Sequence, residues 1–121
     1  MSANLLIVDD STSMRQMVAF ALSSGGYNVK EAEDGQAALD IAKTAKFDAV
    51  VTDVNMPRMD GIELIRQLRQ LPDYKVTPLL MLTTESGGLA FHLLVAAGAT
   101  GWLVKPFDPE QLLATVRKVL G

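Results

Sequence analysis

The chain has 121 residues, of which 49% are hydrophobic and 21% charged, with a formal net charge of −3 and no cysteine. This length and balance predict one globular domain and argue against disorder. No Lys/Arg-rich run is present, so the sequence lacks a nucleic-acid footprint. The first residues, Met1 to Asn4, lack the basic and apolar regions of a signal peptide, and we expect a cytoplasmic protein.

Strand and helix patterns alternate five times along the chain. In order, the predicted pairs are Asn4–Val8 and Ser13–Ser24, Tyr27–Ala32 and Gly35–Lys43, Phe47–Thr52 and Asp60–Gln70, Pro78–Leu82 and Ser86–Ala97, and Trp102–Val104 and Pro109–Leu120. Such alternation predicts an α/β fold, a doubly wound parallel sheet with helices on both faces. The last predicted helix runs up to Gly121, and we expect residues 1–121 to form a single domain.

The predicted strands differ in polarity. The second strand alternates polar and apolar residues, as an edge strand does, whereas the first, third and fourth consist mainly of apolar residues. This difference favours the order 2-1-3-4-5, with strands one and three in the middle of the sheet.

Polar residues follow the predicted strands at the points where they end. Asp9 and Asp10 follow the first strand, Asp53 the third, Thr83 the fourth and Lys105 the fifth. Open parallel sheets bind ligands beyond the carboxyl ends of their strands. We therefore expect these side chains to meet at one edge, although any one of the acids alone is equally compatible with a turn or a helix cap.

Three clustered carboxylates raise one another's pKa unless a cation neutralises them. Mg²⁺ suits such a cleft because it prefers oxygen ligands and retains water and phosphate oxygens, and no histidine or cysteine cluster suggests zinc. Lys105 precedes Pro106, which holds its backbone extended and favours an ammonium directed towards Asp53. A carboxylate can attack phosphorus to give an acyl phosphate, whose charge the metal and the lysine would offset.

The motifs resemble those of a known family across the whole chain. They are Asp9-Asp10, Asp53-Val54-Asn55-Met56-Pro57-Arg58-Met59-Asp60-Gly61, Thr83 and Lys105-Pro106-Phe107. In order and interval they are similar to those of receiver domains of two-component response regulators, of the CheY-like single-domain chemotaxis type. The resemblance implies a flavodoxin-like (βα)₅ fold with the same strand order, 2-1-3-4-5.

The resemblance implies roles for the acids. Asp53 would be the phosphoacceptor. Asp10 and Asp53 would bind Mg²⁺ directly, together with the backbone carbonyl of Asn55, and Asp9 would act through a metal-bound water. Asn55 and Glu85, two residues beyond Asp53 and Thr83, would tune the lifetime of a short-lived phosphoryl group.

The resemblance also implies how the signal leaves the domain. Lys105 would pair with the phosphoryl oxygens, and the Thr83 hydroxyl would move inward to bond the phosphoryl group. Trp102 occupies the switch position, where the family usually has Tyr or Phe. Phe91, Val95 and Trp102 would lie on the output surface.

The implied protein is a signalling protein and not an enzyme, apart from catalysing its own phosphoryl transfer and autodephosphorylation. Its partners would be a CheA-like histidine kinase and a flagellar motor switch protein or another downstream protein. Neither nucleic-acid binding nor membrane insertion is expected.

Three other classes fit the sequence less well. An FMN-binding flavodoxin would place the phosphate beside Asp9 and Asp10, which would repel it. A phosphatase of the haloacid dehalogenase type needs a second aspartate where Asn55 stands. A non-phosphorylated receiver-like interaction module usually lacks one of the acids or the lysine, and all are present here.

The fourth predicted helix departs from the family, because Leu89–Ala97 is apolar on nearly every side. With His92 counted as neutral, no charged residue occurs from Ser86 to Val104. This length reaches a membrane span, but Gly98 and Gly101 favour a helix followed by a strand. Phe91 and Val95 are either buried by a rotated helix or exposed as a patch that supports a weak homodimer or a docking groove. A further alternative is that this stretch was altered by engineering.

Overall fold

The computed structural model describes residues 3–54, 56, 59–83 and 95–120. Its elements are β1 (Asn4–Val8), α1 (Thr12–Ser24), β2 (Asn28–Ala32), α2 (Gly35–Thr44), β3 (Ala49–Asp53), α3 (Gly61–Gln70), a 3₁₀ turn (Pro72–Tyr74), β4 (Leu79–Thr83), β5 (Gly101–Val104) and the C-terminal helix (Pro109–Leu120). These bounds agree with the predicted ones to within two residues. The 3₁₀ turn was not predicted.

The five strands form one parallel sheet in the order β2-β1-β3-β4-β5. This confirms the predicted fold and strand order. The central strands β3 and β4 are buried along their whole length, whereas β2 is largely exposed, as an edge strand of this sheet should be.

Two apolar clusters cover the two faces of the sheet. Successive strand residues point to opposite faces, so Leu6 and Val8 join the cluster under α2 and α3, while Leu5 and Ile7 join the cluster under α1 and the C-terminal helix. Each cluster consists mainly of buried aliphatic side chains. The helices therefore lie on both faces, as the alternation of elements predicted.

Polar side chains fix the starts of the helices. Ser11, Asp34 and Asp60 each accept a backbone N–H from the first turn of α1, α2 and α3, respectively, at 2.8–3.3 Å. Asp108 accepts the Gln111 N–H at 2.7 Å in the C-terminal helix. These bonds satisfy donors that have no partner inside a helix. The Ser11 cap explains why α1 begins at Thr12, one residue before the predicted start.

Arg69, in the last turn of α3, links three segments. Its guanidinium donates to the carbonyl oxygens of Tyr74 and Thr77 at 2.8 and 2.7 Å and to that of Gly98 at 3.0 and 2.9 Å. A further bond of 3.3 Å reaches the Thr100 hydroxyl. We call this set the Arg69 cluster. Desolvation by burial lowers the pKa of Arg69.

The fourth predicted helix lies mostly outside the described residues. Residues 95–97 are helical and Gly98 has a φ of 104°, which matches the predicted helix stop at that glycine. The following strand, β5, shows that the uncharged stretch from residue 86 to 104 is not one continuous helix. Among the described residues, no helix combines the length and hydropathy that a bilayer crossing requires.

Candidate functional site

The strand register brings four strand ends to one edge of the sheet. Val8 pairs with Thr52, Asp53 with Leu82, and Thr83 with Val104. The residues that follow or end these strands are the ones that the sequence selected. Parallel pairing thus converts distant sequence positions into neighbours at the carboxyl edge.

Asp9, Asp10 and Asp53 come together at this edge. Each offers a carboxylate oxygen, and these oxygens lie within 4.8 Å of one another. Asp9 is 1% exposed and Asp53 7%, whereas Asp10 is exposed to solvent. With Lys105, these residues form what we call the acid cleft.

Asp9 has the most demanding environment in the acid cleft. Its Oδ1 accepts the Ser11 N–H at 2.9 Å, but its buried Oδ2 has no hydrogen-bond partner among the described residues. Desolvation by burial raises the pKa of Asp9, and the nearby Asp53 and Asp10 raise it further, against the lowering effect of the Ser11 N–H and Lys105. A buried oxygen without a donor is the place where a cation or its bound water would be stabilising.

Lys105 supplies the positive charge of the acid cleft. Its Nζ lies 2.9 Å from Oδ1 of Asp53 and 3.9 Å from Oδ2 of Asp9. Its backbone N–H donates to the Thr83 carbonyl at 2.7 Å, and the peptide bond to Pro106 is cis. Within the described part of the chain, the acid cleft thus holds three carboxylates and one ammonium, which approaches Asp53 and Asp9, so negative charge is in excess.

The backbone around Asp53 is tightly packed. The Val54 N–H donates to Asp53 Oδ1 at 3.0 Å, and the Thr52 hydroxyl donates to the Asp53 carbonyl at 3.0 Å. Gly61 donates its N–H to the Val54 carbonyl at 2.8 Å, and a Cβ at Gly61 would overlap the Asp53 carbonyl oxygen. Gly61 belongs to the sequence motif, but its packing role was not predicted.

The other predicted residues are only partly described. Thr83 ends β4 and is 2% exposed, and Trp102 is partly exposed and packs against the cluster beneath α2 and α3. Val95 is 51% exposed, so burial of this residue, one of the two alternatives, is wrong for the described domain. Asn55, Glu85 and Phe91 lie outside the described residues.

A groove of about 490 Å³ lies elsewhere, beside the start of β2 and the end of α2. Val29, Ile41 and Phe47 contribute its apolar lining, and Lys30 and Lys46 contribute charge. The described residues that line it include none of the predicted site residues. The groove is therefore separate from the acid cleft.

Comparison with known proteins defines the class to which this fold and site belong. The family model of the response regulator receiver domain matches residues 5–117, so the chain belongs to that family. The domain is thus the receiver domain of a two-component response regulator, a signalling protein. The predicted family is confirmed.

Particular relatives refine the similarity. The chain is 42% identical over 120 residues to the response regulator MprA of Mycolicibacterium vanbaalenii, with 99% of this chain aligned to 51% of that protein. It thus spans about half the length of the curated relatives it matches. The structure of the chemotaxis protein CheY4 of Vibrio cholerae is similar with a TM-score of 0.95 and 50% identity, covering 98% of this chain and 99% of that one.

A third similarity concerns metal. The receiver domain of the sensor histidine kinase PA1611 of Pseudomonas aeruginosa has a TM-score of 0.92 and 26% identity, covering 100% of this chain and 99% of that one. Its structure is described with a magnesium ion coordinated in the active site cleft. In the present chain, the corresponding chemistry is an all-oxygen cluster of three carboxylates.

Proposed function

We propose that the domain accepts a phosphoryl group on Asp53 from a histidine kinase, in a Mg²⁺-dependent reaction in the cytoplasm. The observation that carries this proposal is the Asp53 carboxylate at a strand end, 2.9 Å from Lys105 and within 4.8 Å of two other carboxylates. The carboxylate is the nucleophile, and the charged neighbours stabilise the transferred group.

Asp10 and Asp53 would hold Mg²⁺ directly, together with the Asn55 backbone carbonyl, and Asp9 would act through a metal-bound water. The oxygen-only donor set fits this ion, and Oδ2 of Asp9, which has no hydrogen-bond partner among the described residues, supports a water ligand beside it. The metal would supply positive charge that offsets repulsion among the acids and on the phosphoryl oxygens.

In the proposed reaction, an Asp53 oxygen attacks phosphorus and the phosphorus–nitrogen bond to the kinase histidine breaks. The electron pair of the broken bond returns to the imidazole of the kinase, and the product on Asp53 is an acyl phosphate. Lys105 would leave its bond to the Asp53 carboxylate to pair with the phosphoryl oxygens, and the Thr83 hydroxyl would donate to them. Water would then hydrolyse the acyl phosphate within seconds to minutes, with Asn55 and Glu85 tuning the rate.

Labelling with a kinase or with acetyl phosphate tests this proposal. We expect Mg²⁺-dependent labelling of the native protein and none of Asp53→Ala. Asp40→Ala is the matched control, because Asp40 is an exposed aspartate on α2 whose described bond is to Gln36. Mg²⁺-dependent labelling of Asp53→Ala equal to that of the native protein would contradict the assignment.

We infer further that the output is chemotactic, through a flagellar motor switch protein downstream of a CheA-like kinase. The similarity to CheY4 over nearly the whole chain supports this. The partner surface would include Trp102 and Val95, both at least partly exposed. A partner that binds the phosphorylated and unphosphorylated forms equally well would overturn this inference, because such a partner shifts no equilibrium.

A second candidate function is self-association through the same surface, which the exposed Val95 favours. Burial of a few apolar side chains supports only a weak dimer, since association entropy offsets much of the gain. We expect Val95→Lys to abolish any concentration-dependent association in sedimentation. The melting temperature should stay unchanged, because an exposed substitution alters stability by no more than about 0.5 kcal/mol. A large loss of stability would show instead that Val95 is part of the core.

A further inference from the structure

Arg15, in the first turns of α1, reaches back to the acid cleft. Its Nη1 donates to the main-chain carbonyl of Asp9 at 2.7 Å, and its Nε donates to Glu31 Oε1 at 3.1 Å. Its side chain is 16% exposed, so the guanidinium is largely shielded from solvent. The planar fork of arginine suits such a double contact, which a lysine would not reproduce.

The carbonyl that Arg15 holds belongs to the Asp9–Asp10 peptide. The atoms of a peptide unit lie in one plane, so fixing this oxygen also fixes the orientation from which Asp10 begins. The Asp9 N–H is held independently, because it donates to the Ala32 carbonyl of β2 at 3.2 Å. Glu31, which anchors Arg15, precedes Ala32 on the same strand. Asp9 is therefore tied to β2 on both sides of its Cα.

The acid cleft needs such a restraint, because repulsion among its carboxylates opposes their approach. Asp9 Oδ2 has no hydrogen-bond partner among the described residues, and the Lys105 ammonium, 3.9 Å away, offsets only part of that repulsion. Arg15 contacts the main-chain oxygen, and Glu31 balances its charge. Arg15 thus restrains the backbone at Asp9 and Asp10 without occupying their carboxylates, which stay available to a cation.

We propose that Arg15 is a positioning residue for the divalent-cation site: it holds the Asp9–Asp10 peptide so that the carboxylates converge. This inference rests on the proposed Mg²⁺ dependence of the domain. It makes a prediction opposite in sign to simple electrostatics. Removing a positive charge near an acidic site should tighten cation binding, whereas loss of a positioning residue should weaken it.

Calorimetric titration of the unphosphorylated protein with Mg²⁺ tests the sign. We expect Arg15→Ala to weaken Mg²⁺ binding by about 10-fold or more, the usual range for residues that orient metal ligands. Arg15→Lys should weaken binding nearly as much, since it keeps the charge but loses the fork. Arg66→Ala is the control, because Arg66 is an exposed arginine paired with Glu63 at 3.7 Å, and it should bind Mg²⁺ as the native protein does.

Labelling by acetyl phosphate at increasing Mg²⁺ concentration adds a second readout. For Arg15→Ala, the half-saturating Mg²⁺ concentration should rise by the same factor, while the rate at saturating Mg²⁺ stays near the native rate. A residue that merely stabilises the fold would lower the melting temperature without this selective shift.

Unchanged or tighter Mg²⁺ binding by Arg15→Ala would overturn the proposal, as would native affinity in Arg15→Lys. If neither variant folds, Glu31→Ala replaces them. Glu31 is 42% exposed, and its removal takes away the carboxylate that anchors the Arg15 guanidinium. Native affinity in that variant would equally overturn the proposal. Failure of the native protein itself to bind Mg²⁺ would be recognised separately, as failure of the proposed function on which this inference rests.

Discussion

The acid cleft and the Arg69 cluster both hold charge in partly or fully buried positions, but they satisfy it in different ways. In the Arg69 cluster, the guanidinium meets uncharged carbonyl and hydroxyl oxygens through several hydrogen bonds of 2.7–3.3 Å. The acid cleft holds three carboxylates and one lysine, and a buried oxygen of Asp9 lacks a hydrogen-bond donor among the described residues. The Arg69 guanidinium thus has its hydrogen bonds satisfied, whereas the acid cleft retains negative charge that a cation would neutralise.

The difference teaches how a structural polar group can be separated from a functional one. Buried polar groups are normally satisfied, and an exception calls for an explanation such as an absent ion or catalytic strain. Arg69 links α3 to segments near Tyr74 and Gly98 and thereby stabilises the fold. The acid cleft carries a cost in the metal-free protein that a ligand would remove.

The largest effect on stability is expected at the Arg69 cluster. Arg69→Ala leaves the carbonyls of Tyr74, Thr77 and Gly98 without their donor, and we expect a loss of about 2–4 kcal/mol in the free energy of unfolding. Denaturant unfolding measures this loss, with Arg66→Ala as the control. Labelling of the folded fraction at Asp53 should persist. A loss below about 0.5 kcal/mol, the range of ordinary surface substitutions, would show that the cluster is not structural.

A smaller effect is expected at Gly61, where the fold and the acid cleft meet. The Cβ of Gly61→Ala would overlap the Asp53 carbonyl oxygen, so the loop must shift, at a cost of about 2 kcal/mol. We expect both the free energy of unfolding and the Mg²⁺ affinity to fall. Gly101→Ala is the matched control, because its Cβ would make an ordinary contact of 3.4 Å with Leu80. Equal behaviour of the two variants would contradict the packing role of Gly61.

The smallest effect, with the opposite sign, is expected at Asp9. Burial raises its pKa in the folded protein, so between its ordinary and its raised pKa the folded state binds more protons than the unfolded state. The free energy of unfolding therefore falls as pH rises through that window, and ionised Asp9 destabilises the metal-free protein at neutral pH.

Asp9→Asn removes this ionisation, and we expect it to raise the stability of the metal-free protein at neutral pH by about 1 kcal/mol. The gain should vanish below about pH 4, where the Asp9 carboxyl of the native sequence is protonated in both the folded and the unfolded state. Mg²⁺ should stabilise the native protein more than the variant. Thermal melts with and without Mg²⁺ measure all three effects, and a destabilised variant in metal-free buffer at neutral pH would contradict this account.

The same comparison explains which parts of the fold and of the site could be predicted from the sequence. Short apolar runs that end in Asp9, Asp53 and Lys105 are local patterns, and the rules of parallel sheets convert them into an edge and a site. The strand order and the convergence of the acids followed from these patterns and from the family motifs.

The connections made by arginine could not be predicted in this way. Arg69 contacts the carbonyl of Gly98, which is 29 residues distant, and Arg15 contacts a main-chain oxygen that any residue would present. Neither contact leaves a periodic or compositional trace in the sequence. The fourth helix was predicted, but the sequence did not identify its inward face, because its pattern is apolar on nearly all sides. Only Val95, Ala96 and Ala97 of it are described.

The central claim is that the acid cleft serves covalent chemistry at Asp53, and the position of the phosphoryl group tests it most directly. After reaction with acetyl phosphate and Mg²⁺, borohydride reduces an acyl phosphate to an alcohol, which converts aspartate to homoserine at the modified position. Mass spectrometry of the peptides then locates it. We predict homoserine at Asp53 alone, and only when Mg²⁺ was present. Homoserine at Asp9 or Asp10, or none at all in a protein that retains bound phosphoryl, would contradict the account.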